Sequence, residues 1–243
     1  MLVDDEVEQR PCDVWETVYE QIHDRLWPVE TSLPAFARAW FESHARTVVL
    51  DLGCGDGKNL KWLVDRGFLA IGIDGSASAL RKCARFMNDP SGTSRSYSLL
   101  PPMDVRHLDL RAELIDIPVA ICVDVLGHQP DPERTLGELH RVLRPCGFAL
   151  VSLFHADDEV RRVPPPTMER LNTRDYYYRP DPERRFFFRF YEAGEPEALL
   201  ARSGFVVRIC EPHRWREPPH PGYREVEHTH TSWFLLVEKG SDR

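Results

Sequence analysis

The sequence predicts a doubly wound α/β fold: a mostly parallel sheet with helices on both faces. Three observations point there. Short apolar runs alternate with helix-period segments from about residue 46 to residue 154. The runs at 47–52, 68–74 and 118–125 are apolar on both faces, as in strands covered on both sides. The first run ends in a glycine-rich turn, Gly53-Cys54-Gly55-Asp56-Gly57, and a helical segment follows it.

Taken in order, residues 13–28 and 32–45 read as helices. Ser32 is a candidate N-cap, and Leu33, Phe36, Ala37 and Trp40 recur at helical spacing. The first strand is 47–52. The helix of Lys58 to Arg66 places Leu60, Leu63 and Val64 on one face, and Gly67 stops it. The second strand is 68–74, and Ser76 caps the helix running to about Asn88. The polar stretch 90–98 reads as loop and Met103 to Leu108 as the third strand. Pro118 to Val125 is the fourth strand, and Asp131 or Pro132 opens a helix to about Leu143. Phe148 to Phe154 is the fifth strand, after the Pro145-Cys146-Gly147 turn.

Beyond 155 the alternation breaks. Tyr176-Tyr177-Tyr178 and Phe186 to Phe190 read as two aromatic strands around a Pro180-Asp181-Pro182-Glu183 turn. Glu195 to Ser203 is a helix stopped by Gly204. Strands at 205–210 and 233–238 bring the main sheet to seven. The expected organisation is one domain over 1–243, with N-terminal helices (1–45), a cofactor-binding core (46–154), an aromatic insertion or lid (155–192), and a last helix and strands (193–243). The Pro- and His-rich segment 211–231 reads as an elaborated loop.

Composition narrows the function. The chain has 243 residues, 42% hydrophobic and 29% charged, which suits one sizeable core. A net charge of -8 argues against general nucleic-acid or anionic-membrane binding, which needs a basic surface. No run approaches the ~20 apolar residues of a membrane helix, and the acidic N-terminus does not resemble a signal peptide. The 6 cysteines are scattered without a CxxC pair, so a reducing cytoplasm is expected rather than a disulfide scaffold.

The glycine turn points to a cofactor. Glycines between a strand and a helix leave the backbone open to a ligand, and the helix start offers unpaired N–H groups. Such a turn at the carboxyl end of a parallel strand is where nucleotide-like cofactors bind. The dinucleotide pattern GxGxxG fails, because Lys58 stands where its third glycine would be. A phosphate-binding P-loop fails at Asn59 and in its glycine spacing. Asp51 precedes the glycines, and a carboxylate there suits a cationic ligand better than a pyrophosphate. Asp74, ending the second strand, can accept hydrogen bonds from both hydroxyls of a ribose. A tight turn with a helix-capping Asp is the alternative.

Val48-Val49-Leu50-Asp51-Leu52-Gly53-Cys54-Gly55-Asp56-Gly57, with Ile71-Gly72-Ile73-Asp74-Gly75-Ser76, resembles the class I S-adenosylmethionine-dependent methyltransferases. The resemblance continues through Val123-Asp124-Val125-Leu126-Gly127-His128 and through Leu139 to Gly147, where Cys146 replaces a common glycine. The Gly57-Lys58-Asn59 turn and Arg66-Gly67-Phe68 also resemble tellurite-resistance-type small-molecule methyltransferases. It implies a Rossmann-like methyltransferase fold with S-adenosylmethionine as cofactor and S-adenosylhomocysteine as product. Asp51, Gly53, Cys54 and Gly55 would meet its methionine end, with the Val123 backbone beneath. Asp74 would hold the ribose, Gly75 and Ser76 would lie beside the adenosine, and Asp109 would contact the adenine amino group or merely cap a turn. Asp124 would approach the sulfonium side or cap.

The expected reaction is in-line methyl transfer to a small-molecule acceptor, mainly by positioning. His128 follows the fourth strand and is either a general base or a turn histidine bonded to backbone. Trp15, Tyr19 and Arg25 on the first helix, Tyr176, Tyr178 and Phe188 in the aromatic insertion, and Trp215, His220, Tyr223 and His228 are candidate substrate contacts. Core packing is the competing reading for the aromatics. No metal is expected: His228-Thr229-His230 has alternation suited to chelation, but no cysteine or HExxH motif accompanies it. The chain is expected to be a monomer or homodimer. A noncatalytic cofactor-binding regulatory module and a nucleotide-binding oxidoreductase are the rival functions.

Overall fold

The computed structural model describes residues 11–21, 32–44, 46–88, 96–110, 115–179, 184–219 and 226–240. In chain order the elements are α1 (Pro11–Gln21), α2 (Ala35–Ser43), β1 (Val48–Leu52), α3 (Lys58–Asp65), β2 (Leu69–Ile73), α4 (Ala77–Met87), β3 (Tyr97–Leu99) and β4 (Ile117–Cys122). A 3-10 turn at Leu126–His128 leads to α5 (Pro132–Val142) and β5 (Leu143–His155). Then come α6 (Glu159–Arg162), β6 (Met168–Arg170), β7 (Asp175–Tyr178), β8 (Phe186–Tyr191), α7 (Glu195–Arg202), β9 (Phe205–Glu217) and β10 (His228–Lys239).

The strands lie in the order β3-β2-β1-β4-β5, all parallel, and continue through β10, which runs antiparallel to β5, and β9, which is antiparallel to β10. This is the seven-stranded, doubly wound sheet expected from the alternation. Side-chain period two divides its core. Leu50 and Leu52 of β1, Ala120 and Cys122 of β4, and Ala149 and Val151 of β5 pack toward Leu136, Leu139 and Val142 of α5 and Leu199 of α7. Val49, Val119, Ile121 and Leu150 face the other way, onto Ala37 and Phe41 of α2, Leu60 and Leu63 of α3, and Cys83 of α4. Truncating a fully buried leucine such as Leu139 to Ala would cost about 2–5 kcal/mol.

The sheet departs from expectation at three places. The third strand is Tyr97–Leu99, not 103–108, which forms turn and irregular backbone instead. It lies on the edge of the sheet and is only partly buried, so its sequence shows neither an apolar run nor alternation. The segment 211–231 is less of a loop than its prolines suggest. Residues 211–217 continue β9, and His228 to Thr231 already belong to β10. Residues 220–225 lie outside the described residues. Finally, the aromatic hairpin gains a third strand, β6, and joins the main sheet. β8 pairs with β5 at Phe154 and His155, beyond Val151 where β4 leaves it, so ten strands form one continuous sheet. Its aromatic face is core: Tyr176, Tyr178, Phe186, Phe188 and Phe190 pack with Val14 and Val18 of α1. No helix among the described residues is long and apolar enough to cross a membrane.

Candidate functional site

The carboxyl ends of β1, β2 and β4 open into a cavity of about 260 Å³. Its floor is the glycine turn. Gly53 and Gly55 have φ of +80° and +55°, in the left-handed region that side chains disfavour. A Cβ on Gly53 would collide with Val125 Cγ2, and one on Gly55 with the Tyr19 hydroxyl. Neither position has room for a side chain, and both glycines line the cavity. The turn is held by Gly53 N and Cys54 N, which donate to Ile73 O at 2.8 and 2.9 Å.

Asp74 stands on one wall. Its Oδ2 accepts from Gly55 N at 2.8 Å and its Oδ1 from Ser76 N at 2.8 Å. Burial raises its pKa while these N–H groups oppose the rise. Asp51 is 1% exposed, and its Oδ2 has no hydrogen-bond partner among the described residues. Burial, with the nearby Asp74 charge, pushes its carboxyl up to about 8, against the pull of Lys58. The Cys54 thiol is raised by its contact with Cys83 and by burial, which keeps it neutral and unreactive.

Asp124 continues beyond the end of β4 with φ of +61°, an unusual conformation for a non-glycine residue, and its N–H donates to Ser152 Oγ at 2.8 Å. Its carboxylate pairs with Lys58 Nζ at 3.4 Å across the cavity. Burial disfavours the ammonium of Lys58, but Asp124, Glu217 and Asp56 outweigh it and raise its pKa.

His128 sits in an aromatic box. Its ring lies edge-on to Trp15 at 4.9 Å, Phe154 at 4.9 Å and Phe188 at 4.7 Å. Nδ1 lies 3.0 Å from Phe187 O, so that nitrogen carries the proton and Nε2 the lone pair. Burial lowers its pKa to about 4, although the Phe187 carbonyl and Asp124 pull the other way. The ring is neutral at pH 7 and a weaker base than an exposed histidine.

Helix α1 roofs the site. Glu16 Oε2 accepts from Ser76 Oγ at 2.6 Å and Ser78 N at 3.0 Å, and Oε1 accepts from Ser78 Oγ at 2.7 Å. Burial raises the Glu16 pKa, but these bonds and Arg81 prevail and hold it at about 2. Trp15 and Tyr19 of the same helix thereby face the cavity.

Of the sequence candidates, Gly53, Cys54, Gly55, Asp74, Gly75, Val123, Asp124, His128, Trp15, Tyr19, Phe188 and Trp215 line this cavity. Others do not. Asp51 lies behind the turn. Ser76 is fully buried and caps α4, its Oγ accepting from Ala79 N at 3.0 Å. Tyr176 and Tyr178 are packed in the hairpin core. Asp109 is exposed and away from the wall, a consequence of the misplaced third strand. The acidic residue that follows the real strand into the cavity is Asp104, paired with Arg106 through Nη2 at 2.7 Å. His228 lies behind His230, and it is His230 that reaches the cavity. Arg25, His220 and Tyr223 lie outside the described residues. Sequence reasoning passed over Lys58, Asp104, Phe154, Glu217 and His230 as cavity residues. Lys58 opens α3 directly after the glycine turn, and that position was a usable signal. Glu217 and His230 depend on the β9–β10 register, which carries no local signature.

A family model for a methyltransferase domain matches residues 21–208. Among curated proteins, the ubiquinone biosynthesis O-methyltransferase of Thiobacillus denitrificans is 34% identical over 104 residues, 43% of this chain and 43% of that protein. The protein of the same name from Azotobacter vinelandii is 26% identical over 203 residues, covering 78% and 81%. The chain spans about half the length of several such relatives, 48% and 55% in two others. Among solved structures, a SAM-dependent methyltransferase from Methanosarcina mazei superposes with a TM-score of 0.67 at 18% identity, over 86% of this chain and 99% of that one. The 1,6-didemethyltoxoflavin-N1-methyltransferase of Burkholderia thailandensis, solved with 1,6-didemethyltoxoflavin and S-adenosylhomocysteine bound, gives 0.56 at 20% identity, over 85% and 78%. At these identities the likeness is one of fold.

Proposed function

The chain belongs to the methyltransferase domain family, and from that premise we propose that it is an S-adenosylmethionine-dependent methyltransferase acting on a small molecule with an apolar ring. One observation carries the reading: a single cavity joins the glycine turn and Asp74 at one end to the box of Trp15, Phe154 and Phe188 at the other. The residues fit the cofactor. Gly53, Gly55 and Val123 line the part of the cavity where its methionine end would lie. The Asp74 carboxylate retains lone pairs for the ribose hydroxyls, and Gly75, Asp104 and Arg106 border the adenosine side. Asp51, buried behind the turn and not in the cavity lining, supports the turn from below rather than touching the cofactor.

When bound, the cofactor supplies an electrophilic methyl group on a sulfonium. The chain contributes placement and exclusion of water. Helix α1, pinned by Glu16, covers the cavity, and Trp15, Phe154 and Phe188, packed around His128, give the acceptor an apolar wall to lie against. His128 lines the acceptor space as a neutral ring; its depressed pKa favours positioning over general-base work. The curated relatives are O-methyltransferases, which supports an oxygen acceptor here. Cys54, Cys83, Cys122, Cys146 and Cys210 are free thiols, which suits a reducing cytoplasm. We read the chain as a monomer or homodimer, and its net charge of -8 disfavours nucleic-acid and anionic-membrane partners.

Thermal unfolding with S-adenosylmethionine, S-adenosylhomocysteine, NADH and NADPH tests the proposal. A ligand at 100 times its Kd adds about 2.7 kcal/mol. For a chain of this size that raises Tm by about 5–10 °C. The first two compounds should do so. A shift with NADH or NADPH alone would indicate an oxidoreductase instead. Release of S-adenosylhomocysteine in the presence of acceptor separates an enzyme from a regulatory module.

A further inference from the structure

On the β9–β10 side of the cavity, three side chains converge in a way the methyl-transfer reading does not use. Glu217 of β9 pairs in register with His228 of β10, and His230 lies two residues on, on the same face of the strand. His228 Nδ1 lies 2.9 Å from Val226 O, and His230 Nδ1 lies 3.1 Å from Asp158 Oδ2. Both partners are acceptors, so each Nδ1 carries a proton, and in the neutral rings that metal binding requires each Nε2 would present a lone pair. Those two Nε2 atoms lie 3.1 Å apart. Glu217 Oε2 lies 3.8 Å from His228 Nε2 and 3.6 Å from His230 Nε2.

The orientation of each group is fixed from behind. Glu217 Oε1 accepts from Trp215 Nε1 at 2.8 Å, which aims Oε2 at the imidazoles. Asp158, 1% exposed, is itself held by Val160 N at 2.8 Å and Thr231 N at 2.7 Å. Histidines that ligate metals are held in this manner, by a carbonyl or carboxylate on the far nitrogen.

The spacing matches a metal. Tetrahedral bonds of about 2.0–2.1 Å place neighbouring donor atoms about 3.3–3.4 Å apart. The observed edges of 3.1, 3.6 and 3.8 Å bracket that value. We propose that His228 Nε2, His230 Nε2 and Glu217 Oε2 bind one divalent transition-metal ion of the zinc class. Two imidazoles select such an ion over magnesium or calcium, which prefer all-oxygen sites. His230 and Glu217 line the cavity, so the fourth coordination position opens into it, toward water or an oxygen of the acceptor. Three protein ligands with one open position is the arrangement of reactive rather than structural zinc sites. Metal binding here does not depend on the methyl-transfer reading.

The test uses the full chain after chelator treatment, titrated with Zn²⁺ against a competing chromophoric chelator and with Co²⁺ followed by visible absorption. One equivalent should bind, with the intense Co²⁺ bands of a tetrahedral site. His230→Ala and Glu217→Gln, each checked for an intact thermal transition, should weaken binding at least about 10-fold. Failure of the wild-type chain to bind either ion stoichiometrically would mean that the two imidazoles share a proton instead, and would overturn the proposal. Equal binding by wild type and both folded variants would overturn it as well.

Discussion

Asp74 Oδ2 accepts the Gly55 amide at 2.8 Å, so the carboxylate that ends β2 also braces the glycine turn that follows β1. One side chain thus shapes the cavity floor and stands on its wall. Replacing Asp74 with Ala removes this bond and the one from Ser76 N. Hydrogen bonds to a charged group contribute ~1.5–3 kcal/mol each. Asp74→Ala should lower Tm and weaken S-adenosylhomocysteine binding at least about 10-fold, read by calorimetry.

Asp51 should make the chain less stable as pH rises. Its carboxyl is at about 8 when folded and near 3.8 when unfolded, because burial and Asp74 outweigh Lys58. The folded state therefore binds more protons between these values, and stability falls across that window. Asp51→Asn mimics the neutral acid. Its Tm should match wild type near pH 4 and exceed it at pH 8 without ligand. Parallel curves for the two proteins would contradict the assignment.

His128 carries the opposite sign. Its pKa is lowered to about 4 by burial, against Asp124 and the Phe187 carbonyl, with His230 acting in the same direction as burial. The unfolded chain binds the extra proton between about 4 and the ordinary value of 6.5. Stability is full above 6.5 and falls by about 3 kcal/mol as pH drops to 4. His128→Phe should flatten that loss in thermal melts. In turnover it should raise KM and leave the pH profile of kcat near neutrality unchanged. A kcat loss of 100-fold or more would instead identify a general base.

Glu16 fastens the roof. Glu16→Gln retains the shape but loses charge from bonds to Ser76 and Ser78. The dissociation rate of S-adenosylhomocysteine should rise several-fold, measured by stopped-flow displacement, with β-sheet content unchanged. An unaltered rate would show that α1 does not retain the ligand.

Much of this was legible in the chain, for identifiable reasons. β1 and β4 are buried on both faces and β2 over most of its length, so Val48 to Leu52 and its counterparts announce themselves as apolar runs. The glycine turn was legible because φ of +80° and +55° restricts what can stand there. β3 was not, since an edge strand with Ser98 exposed needs no pattern, and that error displaced the adenine-side acid from Asp104 to Asp109. The prolines of 211–219 suggested a loop, yet Pro212 lies within β9, opposite Trp233. That Glu217 comes beside His228 and His230 at the cavity is set by the β9–β10 register, and register is a property of two segments together.

The central claim is that the glycine turn is a cofactor floor, and isothermal calorimetry of S-adenosylhomocysteine against wild type and Gly55→Val tests it directly. Valine at a φ of +55° is strained, and its Cβ would collide with the Tyr19 hydroxyl, so both the turn and the Tyr19 wall of the cavity must shift. The account predicts one site per wild-type chain and no measurable binding to a variant that still melts cooperatively. Equal affinity in both proteins, or no binding to wild type, would contradict it.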